Sequence, residues 1–185
     1  MNSWRTKDIV TAAVLGVACA LIFWIWNLIG GSLFDVFNAF AGGFGGLIVG
    51  IWLIGGVLGG LIVRRPGAAL FVELLAAVIS ALIGNKWGIP TVYSGLAQGL
   101  GAELVFAAFR YKRFDLRVAV LAGIGAAVLE WILELFAFGG LAYSVSYNVI
   151  YLVTMIISGA VLAGVLGFYL TRALINAGAV TEDIR

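Results

Sequence analysis

Four glutamates, Glu73, Glu103, Glu130 and Glu134, sit inside otherwise apolar stretches of this chain. An ionisable group near the middle of a membrane helix costs about 2.5 to 3.5 kcal/mol on insertion scales, so each one calls for a reason. Glu130 and Glu134 are spaced i, i+4 and share a helix face, with their carboxyls about 6 Å apart. Two carboxylates that close repel each other unless a proton, a cation or strong donors intervene. A cationic ligand would resolve the conflict; alternatively one carboxyl is protonated and both bond to polar neighbours. Paired carboxyls also serve glycosidases as acid and base, but burial in a membrane and the lack of a soluble sugar cleft argue against that chemistry. Glu73 and Glu103 lie six or seven residues from Gly67 and Arg110, close enough to reach the interface or a basic anchor, so a structural role is expected of them.

Other groups at the depth of the acidic pair suit a flat heteroaromatic ligand. Tyr147, Asn148 and Tyr151 open the last apolar stretch, and Ser144, Asn148, Tyr151, Met155 and Ser158 form a ladder on one helix face. Ser94, Gln98 and Gly101 share a face of another stretch, with Tyr93 near its start. Trp87 and Trp131 add large rings, whose faces attract cations. For any single outer Tyr or Trp, the interfacial aromatic belt is a competing explanation. The segment Gly30 to Asn38 (GGSLFDVFN) reads as an outer loop with a glycine hinge, placing Phe34 and Asn38 where they could cap the site, or as an interfacial turn. The candidate ligand residues are therefore Glu134, Glu130, Asn148, Tyr151, Tyr147, Gln98, Trp131, Tyr93, Trp87, Asn38 and Phe34.

Catalytic and metal chemistry find little support. Histidine is absent, which removes the commonest general base and metal ligand, and the single cysteine, Cys19, lies within an apolar stretch as a small packing residue. No metal site, cofactor or enzymatic activity is expected. Nucleic-acid binding is not expected either, because the basic residues anchor helix ends instead of forming a patch with interleaved aromatics.

The elements that must position these groups are membrane helices. The composition, 63% hydrophobic and 11% charged over 185 residues, lies far from that of soluble domains, which carry roughly 25% charged residues. A hydrocarbon core about 30 Å thick needs roughly 20 apolar residues per helix. Six spans are expected, at Ile9–Ile29, Val36–Val63, Ala68–Ile83, Thr91–Phe109, Val118–Phe138 and Tyr147–Leu174. The first span has no short apolar core before a cleavage site and should be retained. With the N-terminus cytoplasmic, Arg5, Lys7, Arg64, Arg65, Arg110, Lys112, Arg113, Arg117, Arg172 and Arg185 all fall inside, leaving only Lys86 outside. The positive-inside rule favours that arrangement, and an odd helix count would scramble it. The expected fold is all-α: one integral membrane domain over residues 1–185, with six transmembrane helices and both termini cytoplasmic.

Glycine dominates the second span, with Gly42, Gly46 and Gly50, and again Gly56 and Gly60, at small-xxx-small spacing. Tight helix packing is the plain reading, and a broken helix that leaves room for a ligand is the sharper one. The first span carries a small-residue stripe, Ala12, Gly16 and Ala20. Such a stripe is a helix contact surface, within the chain or against another subunit.

The opening WRTKDIV with TAAVLGVACA, the segments GGSLFDVFNAFAGGFGG and NKWGIPTVYSGLAQGLGAELVFA, and the paired acids in LEWILELFAFGG resemble the S components of energy-coupling-factor (ECF) importers. The likeness is to the YkoE-type family linked to thiamine and its hydroxymethylpyrimidine precursor, and it covers essentially the whole length. It implies a six-helix bundle in a prokaryotic cell membrane that binds vitamin in its outer half. It also implies partners, namely a transmembrane coupling subunit and two ATPases; in keeping with this, the sequence has no GxxxxGK[ST] loop of its own. Many S components meet the coupling subunit through AxxxA on helix one. Ala12, Gly16 and Ala20 would occupy that role here, with glycine a departure. A proton- or cation-coupled secondary transporter and a non-transporting membrane scaffold are the alternatives.

Overall fold

The computed structural model describes residues 3–180, so Arg185, counted above among the inward basic residues, lies outside them. Among these residues every regular element is helical: α1 (Thr6–Phe40), a 3₁₀ segment (Phe44–Ile51) leading into α2 (Ile54–Val63), α3 (Ala68–Ile83), α4 (Pro90–Ala108), α5 (Leu116–Ala137), and α6 (Val145–Ser158) running through a π-helical turn (Gly159–Val165) into α7 (Leu166–Asn176). These make six rods. Residues 6–40, 44–63, 116–137 and 145–176 are long and apolar enough to cross a membrane. The 16-residue α3 and the 19-residue α4, which carries Gln98 and Glu103, complete the bundle.

The glycine-rich span lies at the centre, and all ten residues of α2 are buried. With no hydrophobic drive between helices in lipid, association depends on close packing, and a rod surrounded on every side needs small residues. A Cβ at Gly59 would come within 2.8 Å of Val72 on α3, and one at Gly56 within 3.1 Å of Ala102 on α4. The span is also broken. Gly43 takes a left-handed conformation (φ 92°) and starts the 3₁₀ segment, which is held to α6 by Thr154 Oγ1 donating to the Gly43 carbonyl (2.8 Å) and by Gly50 N donating to Ser158 Oγ (2.8 Å). Close packing holds in both halves, with Gly46 against Thr154 and Gly50 against Ser158 as well as Gly56 and Gly59 in α2, and the span is broken between the 3₁₀ segment and α2.

Two expectations are corrected. Gly30 to Asn38 is not a loop, because α1 continues as helix to Phe40. The Gly30–Gly31 pair makes room for side chains: a Cβ at Gly30 would meet Trp26 Nε1 at 2.7 Å, and one at Gly31 would meet Lys86 Cδ at 3.2 Å. The stripe Ala12, Gly16 and Ala20 does not face outward. All three are buried within the chain, and Gly16 lies against Leu75 of α3. The outward face of α1 is branched and apolar instead, at Val10, Val14, Val17 and Leu21.

One end of the bundle is stitched by polar contacts. Asp8 pairs with Arg65 (2.8 Å) and Arg5 (3.1 Å), and Trp4 Nε1 donates to the Pro66 carbonyl (2.9 Å). Glu103 of α4 serves as the cap of α3. Its carboxylate accepts from Gly67 N (2.6 Å), Ala69 N (3.0 Å) and Leu70 N (3.3 Å), and also from Tyr111 Oη (2.7 Å). A helix start leaves its first N–H groups unpaired, and here a neighbouring helix supplies the acceptor.

Candidate ligand-binding site

A cavity of about 580 Å³ occupies the opposite end of the bundle, within the range of small-molecule sites. Its walls come from every rod of the bundle up to α6. α1 contributes Phe23, Asn27 and Phe34; the glycine-rich span contributes Val49 and Trp52; α3 contributes Ala77 and Ser80. From the α3–α4 connection comes Trp87, and from α4 come Pro90, Thr91, Ser94 and Gln98. α5 presents Glu130, Trp131 and Glu134 on one face, and α6 adds Tyr147, Asn148 and Tyr151. Pro90 sits in the first turn of α4, where a missing N–H costs nothing, so the chain turns sharply from Trp87 into the wall.

The acids lie deep in the cavity. Glu134 Oε1 accepts from Tyr151 Oη at 3.1 Å, while Ser94 and Gln98 of α4 line the same cavity as Glu130. None of the described lining residues is Lys or Arg, so the cavity is acidic and aromatic together. Lys86 stands at the mouth, 4.9 Å over the Trp87 ring, and donates to Asp35 and the Gly31 carbonyl, each at 2.9 Å. Tyr143, Tyr147 and Tyr151 stack in series with centroids 4.5 and 5.8 Å apart, and Phe34 meets Tyr151 edge-on at 6.1 Å. Trp52 and Trp87 form an edge-to-face pair at 5.2 Å.

Most of the residues singled out from the sequence come together here: Glu130, Glu134, Gln98, Trp87, Trp131, Tyr147, Asn148, Tyr151 and Phe34 all line the cavity. Tyr93 and Asn38 do not. Tyr93 is 55% exposed on the outer surface of α4. The Asn38 side chain accepts through Oδ1 from Gly43 N and Gly45 N, both at 3.1 Å, and so braces the turn into the 3₁₀ segment. Asn148 and Trp131 are partly structural: Asn148 Nδ2 donates to the Gly140 carbonyl (2.9 Å), and Trp131 Nε1 donates to the Asn148 carbonyl (3.1 Å). The lower rungs of the α6 ladder, Met155 and Ser158, are buried below the cavity.

Sequence reasoning missed Asn27 and Trp52. Asn27 accepts from Trp52 Nε1 (2.7 Å) and donates to Ser80 Oγ (2.9 Å), tying α1, the glycine-rich span and α3 into one wall. A polar residue inside an apolar span, and a tryptophan too far along its span for an interfacial belt, were the available signals.

A helical membrane bundle with a closed, stitched end and an acidic, aromatic cavity at the other defines a substrate-binding subunit of a transporter, not an enzyme. Comparison with known proteins agrees. Residues 7–129 match the family described as ABC-type cobalt transport system, permease component. The chain is 40% identical over 184 residues to a Bacillus subtilis (strain 168) protein named "Putative HMP/thiamine permease protein YkoE", covering 97% of this chain and 89% of that one. A solved structure described as an S-component of an ECF transporter superposes with a TM-score of 0.87 at 40% identity, covering 95% of this chain and 88% of the other. The chain belongs to the YkoE-type family of ECF transporter S components, multi-pass proteins of the bacterial cell membrane.

Proposed function

We propose that this chain captures thiamine, or its hydroxymethylpyrimidine precursor, from outside the cell and delivers it through a transmembrane coupling subunit driven by two ATPase subunits. The observation that carries the reading is the Glu130–Glu134 pair facing an aromatic cavity whose described lining has no basic side chain. Thiamine joins a thiazolium cation to an aminopyrimidine ring. A buried carboxylate and tyrosine faces favour the cation, while Ser94, Gln98 and the tryptophans suit the flat, hydrogen-bonding pyrimidine.

The basic residues orient the chain as one membrane domain with both termini cytoplasmic, so the cavity opens outward. Cobalt, the cargo in the matched family's description, fits the residues poorly. The sequence has no histidine, and among the described residues no three of His, Cys, Asp or Glu are grouped to hold a metal; cobalt sites draw on such nitrogen, sulfur and oxygen donors.

Native mass spectrometry of the purified protein, followed by titration with thiamine and with hydroxymethylpyrimidine, tests the substrate. Binding of riboflavin or biotin with neither of these would overturn it. Reconstitution in liposomes tests the role: the chain alone should bind without turnover, and uptake in the absence of partners would instead mark a secondary transporter.

A further inference from the structure

Among the described residues, Lys86 is the one basic side chain at the cavity end of the bundle. The others lie at the stitched end, near the starts of α1, α3 and α5 and the ends of α2, α4 and α7. The Lys86 ammonium is fully engaged. Of its three N–H donors, two go to the Gly31 carbonyl and to Asp35 Oδ2, each at 2.9 Å, and the face of the Trp87 ring lies 4.9 Å from the nitrogen. The stem is held close against α1, where a Cβ at Gly31 would come within 3.2 Å of Lys86 Cδ. The pair is nonetheless open to water, with the Lys86 side chain 40% and the Asp35 side chain 68% exposed. Exposed ion pairs contribute little to stability, so the fold has small need of this one. Its consequence is for charge: the mouth is neutral, and the lining behind it holds Glu130 and Glu134 but no Lys or Arg.

We propose that Asp35 is a specificity-determining residue: by holding Lys86 at the mouth it denies the cavity a free cation, and so restricts capture to the unphosphorylated ligand. The inference rests on the function proposed above and narrows its substrate class. A phosphate ester adds about −1.5 to −2 charges at neutral pH. Wherever that group lay, it would face the two acids inside or the neutralised lysine outside, with no partner to offset its lost hydration.

Backbone amides, the other common anion ligands, are committed as well. At the start of α4, Pro90 has no N–H, and Thr91 N and Val92 N donate to the Gly88 and Ile89 carbonyls. Trp87 N and Gly88 N both donate to Asn85 Oδ1 at 2.9 Å, and Tyr147 N of α6 donates to Ser144 Oγ at 3.2 Å. Asn85 Nδ2 lacks a partner, but it is buried and Asn85 is not part of the cavity lining.

Titration of the purified protein with thiamine and with hydroxymethylpyrimidine, each beside its monophosphate ester, tests the proposal. Competition against the free vitamin reads an ester too weak to titrate alone. The wild type should prefer the free alcohol by roughly tenfold or more. Asp35→Asn releases the ammonium and should cut that preference by roughly three- to tenfold, whereas Lys86→Met leaves the mouth acidic and should raise it. The double variant should return near the wild type, and all three should melt like it. Both single shifts should shrink from about 0.01 M to about 1 M salt, as the screening length falls from about 30 Å to 3 Å. Equal wild-type affinity for vitamin and ester, an unchanged preference in Asp35→Asn, or single variants that shift it in the same direction would overturn the proposal; the first of these leaves the proposed function standing. A protein that binds neither vitamin nor either ester would remove that function, and this inference with it.

Discussion

Gly16 of α1 lies so close to Leu75 of α3 that a Cβ at position 16 would sit 2.7 Å from Leu75 Cδ2 and 3.2 Å from Leu75 Cβ. The small-residue stripe of the first helix is thus spent inside the chain. Gly16→Leu should destabilise the purified protein by about 1–3 kcal/mol through overpacking, with Gly16→Ala costing less because the Leu75 side chain can turn aside. Thermal melts of the two variants beside Val14→Leu, a change on the exposed face of α1, provide the comparison. A Gly16→Leu protein that melts like the wild type yet fails to assemble with a coupling subunit would return the stripe to a partner interface.

Glu134 accepts from Tyr151 Oη on the cavity wall and, in the proposed role, is the carboxyl that a bound cation would meet. Glu134→Gln should weaken thiamine binding by about 1.5–3 kcal/mol, roughly ten- to a hundredfold, more than Glu73→Gln does. Calorimetry on matched preparations measures both. Equal losses would mean that the depth of the two acids relative to the ligand has been misjudged.

Asn27 should matter although it carries no charge. Asn27→Leu strands the Trp52 indole N–H and the Ser80 hydroxyl, each left without its present partner. A cost of about 1–3 kcal/mol in stability is expected, together with a blue-shifted or broadened tryptophan emission as Trp52 loses its anchor. Emission unchanged from the wild type would show that Trp52 is held by its ring contacts alone.

At the stitched end, Tyr111 donates to Glu103, and burial, followed by that hydrogen bond and the glutamate charge, pushes its hydroxyl up to about 12. The folded value lies above the ordinary tyrosine value of 10, so the contribution of this group to stability is complete below pH 10 and is lost as pH rises towards 12. Chemical denaturation between pH 9 and roughly 11.5 should show stability falling in the wild type, with a shallower fall in Tyr111→Phe. Identical slopes would remove Tyr111 from the account.

Where hydropathy changes abruptly the elements were legible from sequence: α3 has the bounds Ala68–Ile83 read from it, and the other rods differ by a few residues at most ends. The acidic pair and its aromatic company were legible too, because polar groups are conspicuous in an apolar helix. Three features were not. A Gly-Gly pair at a membrane boundary looks like a hinge, and only the placement of Trp26 and Lys86 shows that it makes space. A small-residue stripe announces a close helix contact without naming the partner, so the direction of Ala12, Gly16 and Ala20 came from the tertiary structure. Tyr93 is one residue from Ser94, yet that step of about 100° round the helix leaves it on the exposed surface instead of in the cavity, which aromatic character alone conceals.

The capping of α3 by Glu103 bears on how the chain comes to be built. The sequence entering α3, Arg65-Pro66-Gly67, holds no Ser, Thr, Asp or Asn to complete the helix start, and the helix itself is only 16 residues long. Its missing acceptor arrives more than thirty residues later, on the following span. Until α4 has come alongside, water at the membrane surface is what remains to answer the first amides of α3. The hairpin of the two, rather than α3 singly, is the smallest piece in which that helix start is complete.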